Sequence, residues 1–145
     1  MDATTKIETP ADVLVIDDDE IMRDLVADWL EAAGYGVRKA ADGQAGLAEV
    51  ERAVPALVVT DMCMPGPSGG VIIRNLKQDH PAIPIIAISG YFSLSGCTAA
   101  DALDLGAARA LAKPVKRGDI MRAVAELVGP PGRAGRSRLL LPDSA

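Results

Sequence analysis

Aromatic residues are scarce in this sequence: its 145 residues include one Trp, two Tyr and one Phe. With so few rings, a core has to be built from Ala, Val, Leu and Ile. Such a mixture is common in parallel sheets that are covered by helices on both faces. The length is near the commonest size of one domain and allows a sizeable core, so we expect one globular unit.

Cysteine and histidine are also scarce, because the chain has two cysteines, Cys63 and Cys97, and one histidine, His80. Two cysteines do not make a disulfide framework, and no cluster of Cys and His offers zinc a site. We therefore expect a reducing, cytoplasmic location. We also expect an inert Cys63 side chain and a solvated His80 on the surface.

Long apolar runs and an excess of positive charge are both missing. The run Ile83 to Ile88 is far shorter than the ~20 residues of a membrane helix, and the polar N-terminus does not resemble a signal peptide. The 15 Lys and Arg against 20 Asp and Glu give a net charge of −5. Nucleic-acid binding relies on basic residues that neutralise phosphates, so neither a membrane nor a nucleic acid is an expected partner.

Short apolar strands alternate with helical segments along the chain. Strands are predicted over residues 13–16, 35–40, 57–60, 83–88 and 107–112, and helices over 20–33, from 43 to Pro55, from 71 to His80, over 99–105 and over 119–128. Five strand-then-helix units predict an α/β, flavodoxin-like (βα)5 fold with a doubly wound five-stranded parallel sheet. We expect one domain over 13–128 between flexible ends, 1–12 and 129–145; the alternative for the second end is a docking peptide.

Polar residues stand where the predicted strands end: Asp17 and Asp18, Asp61, Ser89 and Lys113. Ligands of open parallel sheets bind beyond the carboxyl ends of the strands, so these side chains are expected to meet. Two unit charges about 4 Å apart repel by about 4 kcal/mol at an effective dielectric of 20, so three ionised carboxylates need cations. Ligation by oxygen alone favours Mg²⁺.

Chemistry at this edge of the sheet points to phosphoryl transfer. Mg²⁺ and Lys113 would compensate the charge of a transferring phosphoryl group. Asp61 stands alone at the end of its strand, before a loop rich in Gly and Pro. It is therefore the candidate nucleophile, which would form an acyl phosphate.

Four short motifs carry a resemblance to a known family. They are Val15-Ile16-Asp17-Asp18-Asp19, Thr60-Asp61-Met62-Cys63-Met64-Pro65-Gly66, Ile88-Ser89-Gly90 and Leu111-Ala112-Lys113-Pro114. In this order, at successive strand ends, they resemble the receiver domain of two-component response regulators over about Val13 to Val128. The resemblance implies a response regulator that is not an enzyme beyond its own phosphorylation and slow dephosphorylation. Because only the short segment from Gly129 follows the last predicted helix, we expect a stand-alone, single-domain type; the alternative is a receiver excised from a longer regulator.

The resemblance also assigns roles to the residues at the strand ends. Asp61 would be the phosphoacceptor, and Mg²⁺ would be held by Asp17, Asp18, Asp61 and the backbone carbonyl of Cys63. Ser89 would donate a hydrogen bond to the phosphoryl group, Lys113 would pair with it, and Lys113-Pro114 would be a cis peptide. The donor would be a histidine kinase or a histidine phosphotransfer protein. The output would be contacts with a downstream protein, made by a monomer or weak homodimer.

Two positions depart from the family pattern. Ala110 stands three residues before Lys113, where receivers usually have an aromatic switch residue. The signal is therefore expected to be read out through the stretch from Gly90 to Leu105. The second departure is Tyr91, whose bulk is expected to screen the acyl phosphate from water.

Two other functions remain open at this point. A haloacid-dehalogenase-like phosphatase would use Asp17 as nucleophile and Asp19 as general acid. That class needs a further acidic pair and a substrate cap, and it leaves Asp61 without a role; Asp19 also fits a simple helix cap. The second alternative is an interaction module that is not phosphorylated.

Overall fold

The computed structural model describes residues 12–64, 69–90 and 98–131. These ranges contain β1 (Asp12–Ile16), α1 (Glu20–Ala33), β2 (Gly36–Ala40), α2 (Gly43–Arg52), β3 (Leu57–Asp61), α3 (Gly69–Asp79), β4 (Ile85–Ser89), α4 (Ala99–Leu105), β5 (Arg109–Ala112) and α5 (Arg117–Val128). The expectations for Tyr91 and Cys97 concern residues outside these ranges, as do most of those for the two chain ends. Asp12, which we assigned to the flexible N-terminus, is the first residue of β1.

The five strands form one parallel sheet in the order β2-β1-β3-β4-β5. This order is that of flavodoxin-like proteins, so the predicted fold class is confirmed. The register aligns Ile16 with Thr60, Asp61 with Ile88 and Ser89 with Ala112. The carboxyl ends of β1, β3, β4 and β5 therefore lie along one edge of the sheet.

Each face of the sheet carries its own apolar cluster, because successive side chains of a strand point to opposite faces. Leu14 and Ile16 of β1 pack with side chains of α2, α3 and α4. Val13 and Val15 pack on the other face with side chains of α1 and α5. Trp29 is partly buried against this second cluster, as expected for a residue on the apolar side of α1.

Helix α1 begins and ends where the sequence predicts. The Asp19 carboxylate accepts hydrogen bonds from the backbone N–H groups of Ile21 and Met22, at 3.0 and 3.3 Å. It therefore caps the helix. Gly34 ends the helix in the left-handed conformation, with φ 107°, which glycine adopts without steric cost.

The last described residues lie beside the carboxyl end of α1. The Tyr35 hydroxyl donates a 2.9 Å hydrogen bond to the carbonyl of Gly129, just after α5. Pro131 lies close to Gly34, because a Cβ atom at Gly34 would be 3.4 Å from the Pro131 Cβ. The chain after α5 is therefore anchored where α1 ends.

Several predicted boundaries differ from the observed ones. Ile83 is buried but precedes β4, since its N–H donates to the carbonyl of His80 in a turn. Ala107 is buried at the exit from α4, where its N–H donates to Ala102. Helix α3 includes Gly69 and Gly70, which we assigned to a loop, and α5 begins two residues early, at Arg117.

His80 lies on the surface, where it contacts an acidic side chain of the neighbouring helix. Its Nε2 lies 3.1 Å from Oε2 of Glu51, and its side chain is 25% exposed. The ring therefore joins the end of α3 to α2.

Candidate functional site

Asp61 is the buried centre of the site, with 2% exposure at the end of β3. Its Oδ1 accepts a 3.0 Å hydrogen bond from the N–H of Cys63, and its Oδ2 accepts one of 2.9 Å from Nζ of Lys113. The start of α3 packs tightly beneath it, since a Cβ at Gly69 would overlap the Asp61 carbonyl oxygen and lie 2.6 Å from Cα of Met62. Hydrogen bonds thus fix both carboxylate oxygens of Asp61, and the packing of α3 fixes its backbone.

Two further carboxylates join Asp61. One oxygen each from Asp17, Asp18 and Asp61 lies within 4.8 Å of the others. Asp17 is buried and Asp18 is exposed, so the cluster opens to solvent on one side. Asp17 is oriented by the Asp19 N–H, which donates to its Oδ1 at 2.9 Å, and by Arg23, whose Nη1 donates to its backbone carbonyl at 2.9 Å.

The crowding of carboxylates changes the acidity of Asp17. Burial, the largest cause, and the neighbouring charge of Asp61 raise the pKa of Asp17 to about 6, against the hydrogen bond from Asp19 and the charge of Lys113. A buried carboxyl without a compensating cation favours its neutral form. A cation bound beside Asp17 would therefore favour its ionised form.

Lys113 supplies the fixed positive charge. Burial alone would lower its pKa, but the hydrogen bond to Asp61 and the charges of Asp61 and Asp17 outweigh this effect, so the pKa of Lys113 is raised. The ammonium group stays charged at neutral pH. The Lys113-Pro114 peptide is cis, as the resemblance implied.

Backbone hydrogen bonds continue past the ends of the strands and hold the site residues in place. The N–H of Asp17 donates to Ala40, that of Met62 to Ile88, and that of Lys113 to Ser89, at 2.9 to 3.1 Å. Each bond ties a residue at or beside the site to the neighbouring strand.

Ser89 is buried at the end of β4, and its hydroxyl donates to the carbonyl of Leu111 at 3.4 Å. This distance is long for an O–H donor, so turning the hydroxyl toward a better acceptor would cost little.

Cys63 differs from the expectation of an inert, free side chain, because its sulfur is disulfide-bonded. The other cysteine of the sequence, Cys97, lies outside the described residues. Nothing in the spacing of the two cysteines predicted a bond. The role expected of Cys63 concerns only its backbone carbonyl.

The donor set fits a hard divalent cation. Three carboxylates converge within reach of one ammonium group, so the cluster carries excess negative charge. Oxygen ligands of this kind suit Mg²⁺, which typically takes one or two carboxylates and keeps several waters. Asp19 stands apart, because its carboxylate caps α1.

Sequence reasoning did not find two residues that shape the site. Arg23 holds the Asp17 carbonyl, and Gly69 allows α3 to approach Asp61. An arginine on a helix and a glycine in a Gly-rich segment carry no signal of such contacts. Ala110, opposite Ala87 in the sheet, is partly buried against the first apolar cluster, so no ring occupies this position.

The strand order and the cluster of aspartates and lysine at the strand ends define the receiver class of α/β proteins. The profile of the response regulator receiver domain family matches residues 13–125. The chain belongs to this family.

Similar proteins include regulators that are longer than this chain. The nitrogen assimilation regulatory protein NtrX of Azorhizobium caulinodans is 34% identical over 71% of this chain, which spans 23% of that protein. The transcriptional regulatory protein FixJ of Bradyrhizobium diazoefficiens is 30% identical over 94% of this chain, and 66% of its own length is covered. The chain thus corresponds to one part of these relatives.

Solved structures share the fold. The receiver domain of NtrX from Brucella abortus superposes with a TM-score of 0.74 at 30% identity, over 80% of this chain and 97% of that one. The chemotaxis protein CheY4 of Vibrio cholerae has the same fold, with a TM-score of 0.74 over 83% of this chain and 100% of that one, at 24% identity. Among the described residues, no helix has the length and apolar character needed to cross a membrane.

Proposed function

We propose that this protein is a phosphoacceptor response regulator in which a phosphoryl group is transferred from a phosphohistidine to Asp61. One observation carries the proposal: the buried Asp61 carboxylate lies 2.9 Å from the Lys113 ammonium and within 4.8 Å of the Asp17 and Asp18 carboxylates. A lone structural ion pair would not need the two extra carboxylates, which repel Asp61.

The three carboxylates fit a Mg²⁺ ion, and we propose that Asp17, Asp18, Asp61 and the backbone carbonyl of Cys63 hold it. When bound, the ion neutralises charge on the phosphoryl oxygens. The pKa of Asp17 is raised to about 6 in the metal-free cluster, so Asp17 is mostly ionised at neutral pH and becomes a poorer ligand as the pH falls below about 6.

In the transfer step, a carboxylate oxygen of Asp61 attacks the phosphorus atom of the phosphohistidine. The new P–O bond forms as the P–N bond breaks, and the electron pair of that bond stays with the imidazole nitrogen, which takes a proton from solvent. In this proposal Lys113 pairs with a phosphoryl oxygen in exchange for part of its contact with Asp61. The hydroxyl of Ser89 turns from Leu111 and donates to another phosphoryl oxygen.

The phosphoryl donor in this proposal is a histidine kinase or a histidine phosphotransfer protein, as for two-component receivers in general. The output is a change in contacts with a downstream protein. The cytoplasmic location now rests on the receiver family alone, because the disulfide bond of Cys63 removes the argument from the cysteines. Because Ala110 offers no ring to swing inward, we place the conformational response in the segment that includes α4. Phosphorylation and slow dephosphorylation of Asp61 are the only reactions that we assign to the chain.

The test is the intact mass of the protein after incubation with acetyl phosphate and Mg²⁺. We expect the wild type to gain one phosphoryl group, which is lost again at alkaline pH as an acyl phosphate is, and Asp61→Asn to gain none. Asp42→Asn is the matched control, since Asp42 caps α2 outside the acidic cluster. It should be modified as the wild type is.

The same measurement separates the alternatives. Turnover of phosphate esters that depends on Asp17 and not on Asp61 would support a phosphatase. Asp19 is a poor candidate for a general acid, because its carboxylate is engaged in capping α1 through hydrogen bonds from the N–H groups of Ile21 and Met22. No modification of any variant would support the interaction module.

A further inference from the structure

Helix α1 presents apolar side chains to solvent. Ile21 is 78% exposed and Leu25, one turn later, is 39% exposed. Residues four apart on a helix lie on one face, and Asp28 and Ala32 continue this stripe as exposed residues. We call the stripe Ile21, Leu25, Asp28 and Ala32 the outer face of α1.

The outer face is bordered by negative charge. Helix α1 carries four acidic residues, Glu20, Asp24, Asp28 and Glu31. Lys39 pairs with Asp24 at 3.0 Å, whereas Asp28 and Glu31 form no ion pair with another described residue. The single basic residue of the helix, Arg23, is directed toward the Asp17 carbonyl. An occupant of the outer face should therefore be both apolar and basic.

Residues 132–145 have this composition. They contain Arg133, Arg136 and Arg138, followed by Leu139, Leu140 and Leu141, with Asp143 as the single acidic side chain. The described chain leads directly to this segment. The Tyr35 hydroxyl holds the carbonyl of Gly129, and Pro131 lies against Gly34, where α1 ends.

We propose that residues 132–145 dock on the outer face of α1 of the same chain and run antiparallel to the helix. The arginines would lie beside Glu31, Asp28 and Asp24. The three leucines would cover Leu25 and Ile21.

The available length allows this path. From Gly34 back to Ile21, α1 runs about 20 Å at its rise of ~1.5 Å per residue. Leu139 follows Pro131 by eight residues, which span up to ~26 Å at ~3.3 Å per residue. The leucines therefore reach the outer face without a fully extended chain, and the arginines pass the carboxylates on the way.

Docking within one chain needs little intrinsic affinity. A short tether gives an effective concentration on the order of millimolar, and burial of Ile21, Leu25 and the leucines supplies a favourable hydrophobic term. Docking would also cover Ile21, which is 78% exposed in the described part of the chain. The proposal does not depend on phosphoryl transfer and can fail or succeed separately.

The test uses the full chain labelled with nitrogen-15. We expect the heteronuclear NOE of residues 133–141 to be high at low salt, as for an ordered backbone, and to fall at high salt, because the arginine contacts are screened. In a Leu139→Ser, Leu140→Ser, Leu141→Ser variant, the NOE should fall and the amide shifts of Ile21 and Leu25 should move. These substitutions lie outside the described domain and leave its core intact.

Exchanging the charges of one proposed ion pair tests whether docking depends on that pair. Asp28→Lys should lower the NOE of the tail, and adding Arg136→Glu should restore it. The matched control is Asp104→Lys, since Asp104 is an exposed carboxylate on α4, on the opposite face of the sheet. A low NOE in the wild type, or unchanged α1 shifts in the leucine variant, overturns the proposal. Shifts that depend on protein concentration also overturn it, because they indicate a second copy as the occupant.

Discussion

Nζ of Lys113 lies 2.9 Å from Oδ2 of Asp61, and this ion pair joins the ends of β5 and β3 across the end of β4. The Asp61 side chain is 2% exposed and that of Lys113 is 16% exposed. Removing Lys113 therefore leaves a buried carboxylate without its cation. We expect Lys113→Met to lower the free energy of unfolding by about 1–3 kcal/mol in the absence of Mg²⁺, measured by urea denaturation.

A double variant checks the cause of this loss. Asp61→Asn removes the stranded charge, so the combination with Lys113→Met should recover most of the stability. Lys39→Met is the surface control, since its partner Asp24 is about half exposed, and it should cost much less. Equal losses for Lys113→Met and Lys39→Met would contradict the special role of the buried pair.

The raised pKa of Asp17 predicts a pH dependence of metal-free stability. The pKa is about 6 in the folded chain against a model-peptide value of 3.8, so the folded state holds the proton more tightly than the unfolded state does. Stability should therefore fall as pH rises from about 4 to about 6. Mg²⁺ should restore it above pH 6, as measured by thermal unfolding with and without the ion.

Variants at the cluster locate this effect. Asp17→Asn should remove much of the decline between pH 4 and 6, because the group that loses its proton is gone. Asp18→Asn, in the exposed member of the cluster, should retain it. If Asp17→Asn behaves as the wild type does, another group is responsible.

Alanine substitutions at two glycines should change the stability of the fold in opposite directions, because α3 approaches Asp61 closely at Gly69 but the space around Gly118 is open. A Cβ at Gly69 would overlap the backbone of Asp61 and Met62, so Gly69→Ala should destabilise the fold by about 1–3 kcal/mol. Gly118, in the first turn of α5, has nothing within 4 Å of its Cβ position. Gly118→Ala should stabilise by up to about 1 kcal/mol, and urea denaturation of both variants gives the comparison.

Substitution of Asp19 tests whether this residue only caps α1 or also takes part in phosphoryl transfer. Its carboxylate caps α1, so Asp19→Ala should cost about 0.5–2 kcal/mol of stability while phosphoryl uptake from acetyl phosphate persists. Asp42→Ala, at the cap of α2, should give a loss of similar size. Complete loss of phosphoryl uptake in a folded Asp19→Ala protein would argue for a chemical role.

Much of the fold was predictable because its signals are local. The three-and-four spacing of apolar residues between Glu20 and Gly34 matches α1 at both ends. The apolar run 57–60 leads into Asp61, which closes β3. The predicted strands began too early, at Ile83 and Ala107. Both are apolar residues that are buried in turns and do not pair in the sheet.

The sequence predicted which charged residues meet at the strand ends, but it did not predict the contacts that surround them. Asp17, Asp61 and Lys113 stand at or just after the ends of strands that a parallel sheet must align, so their meeting follows from topology. The hydrogen bond from Arg23 to the backbone carbonyl of Asp17 depends on the direction of the arginine side chain in the folded protein. So does the disulfide bond of Cys63, and neither leaves a pattern in the sequence.

The hydrogen bonds that run past the strand ends make the site inseparable from the sheet. Asp17, Met62 and Lys113 are each tied by a backbone N–H to the adjacent strand. The conformational entropy of aligning the neighbouring carboxylates and the ammonium group is therefore lost when the chain folds and not again when a ligand arrives. For the same reason we expect no local unfolding of the site: its geometry should persist until the whole sheet unfolds in one cooperative transition.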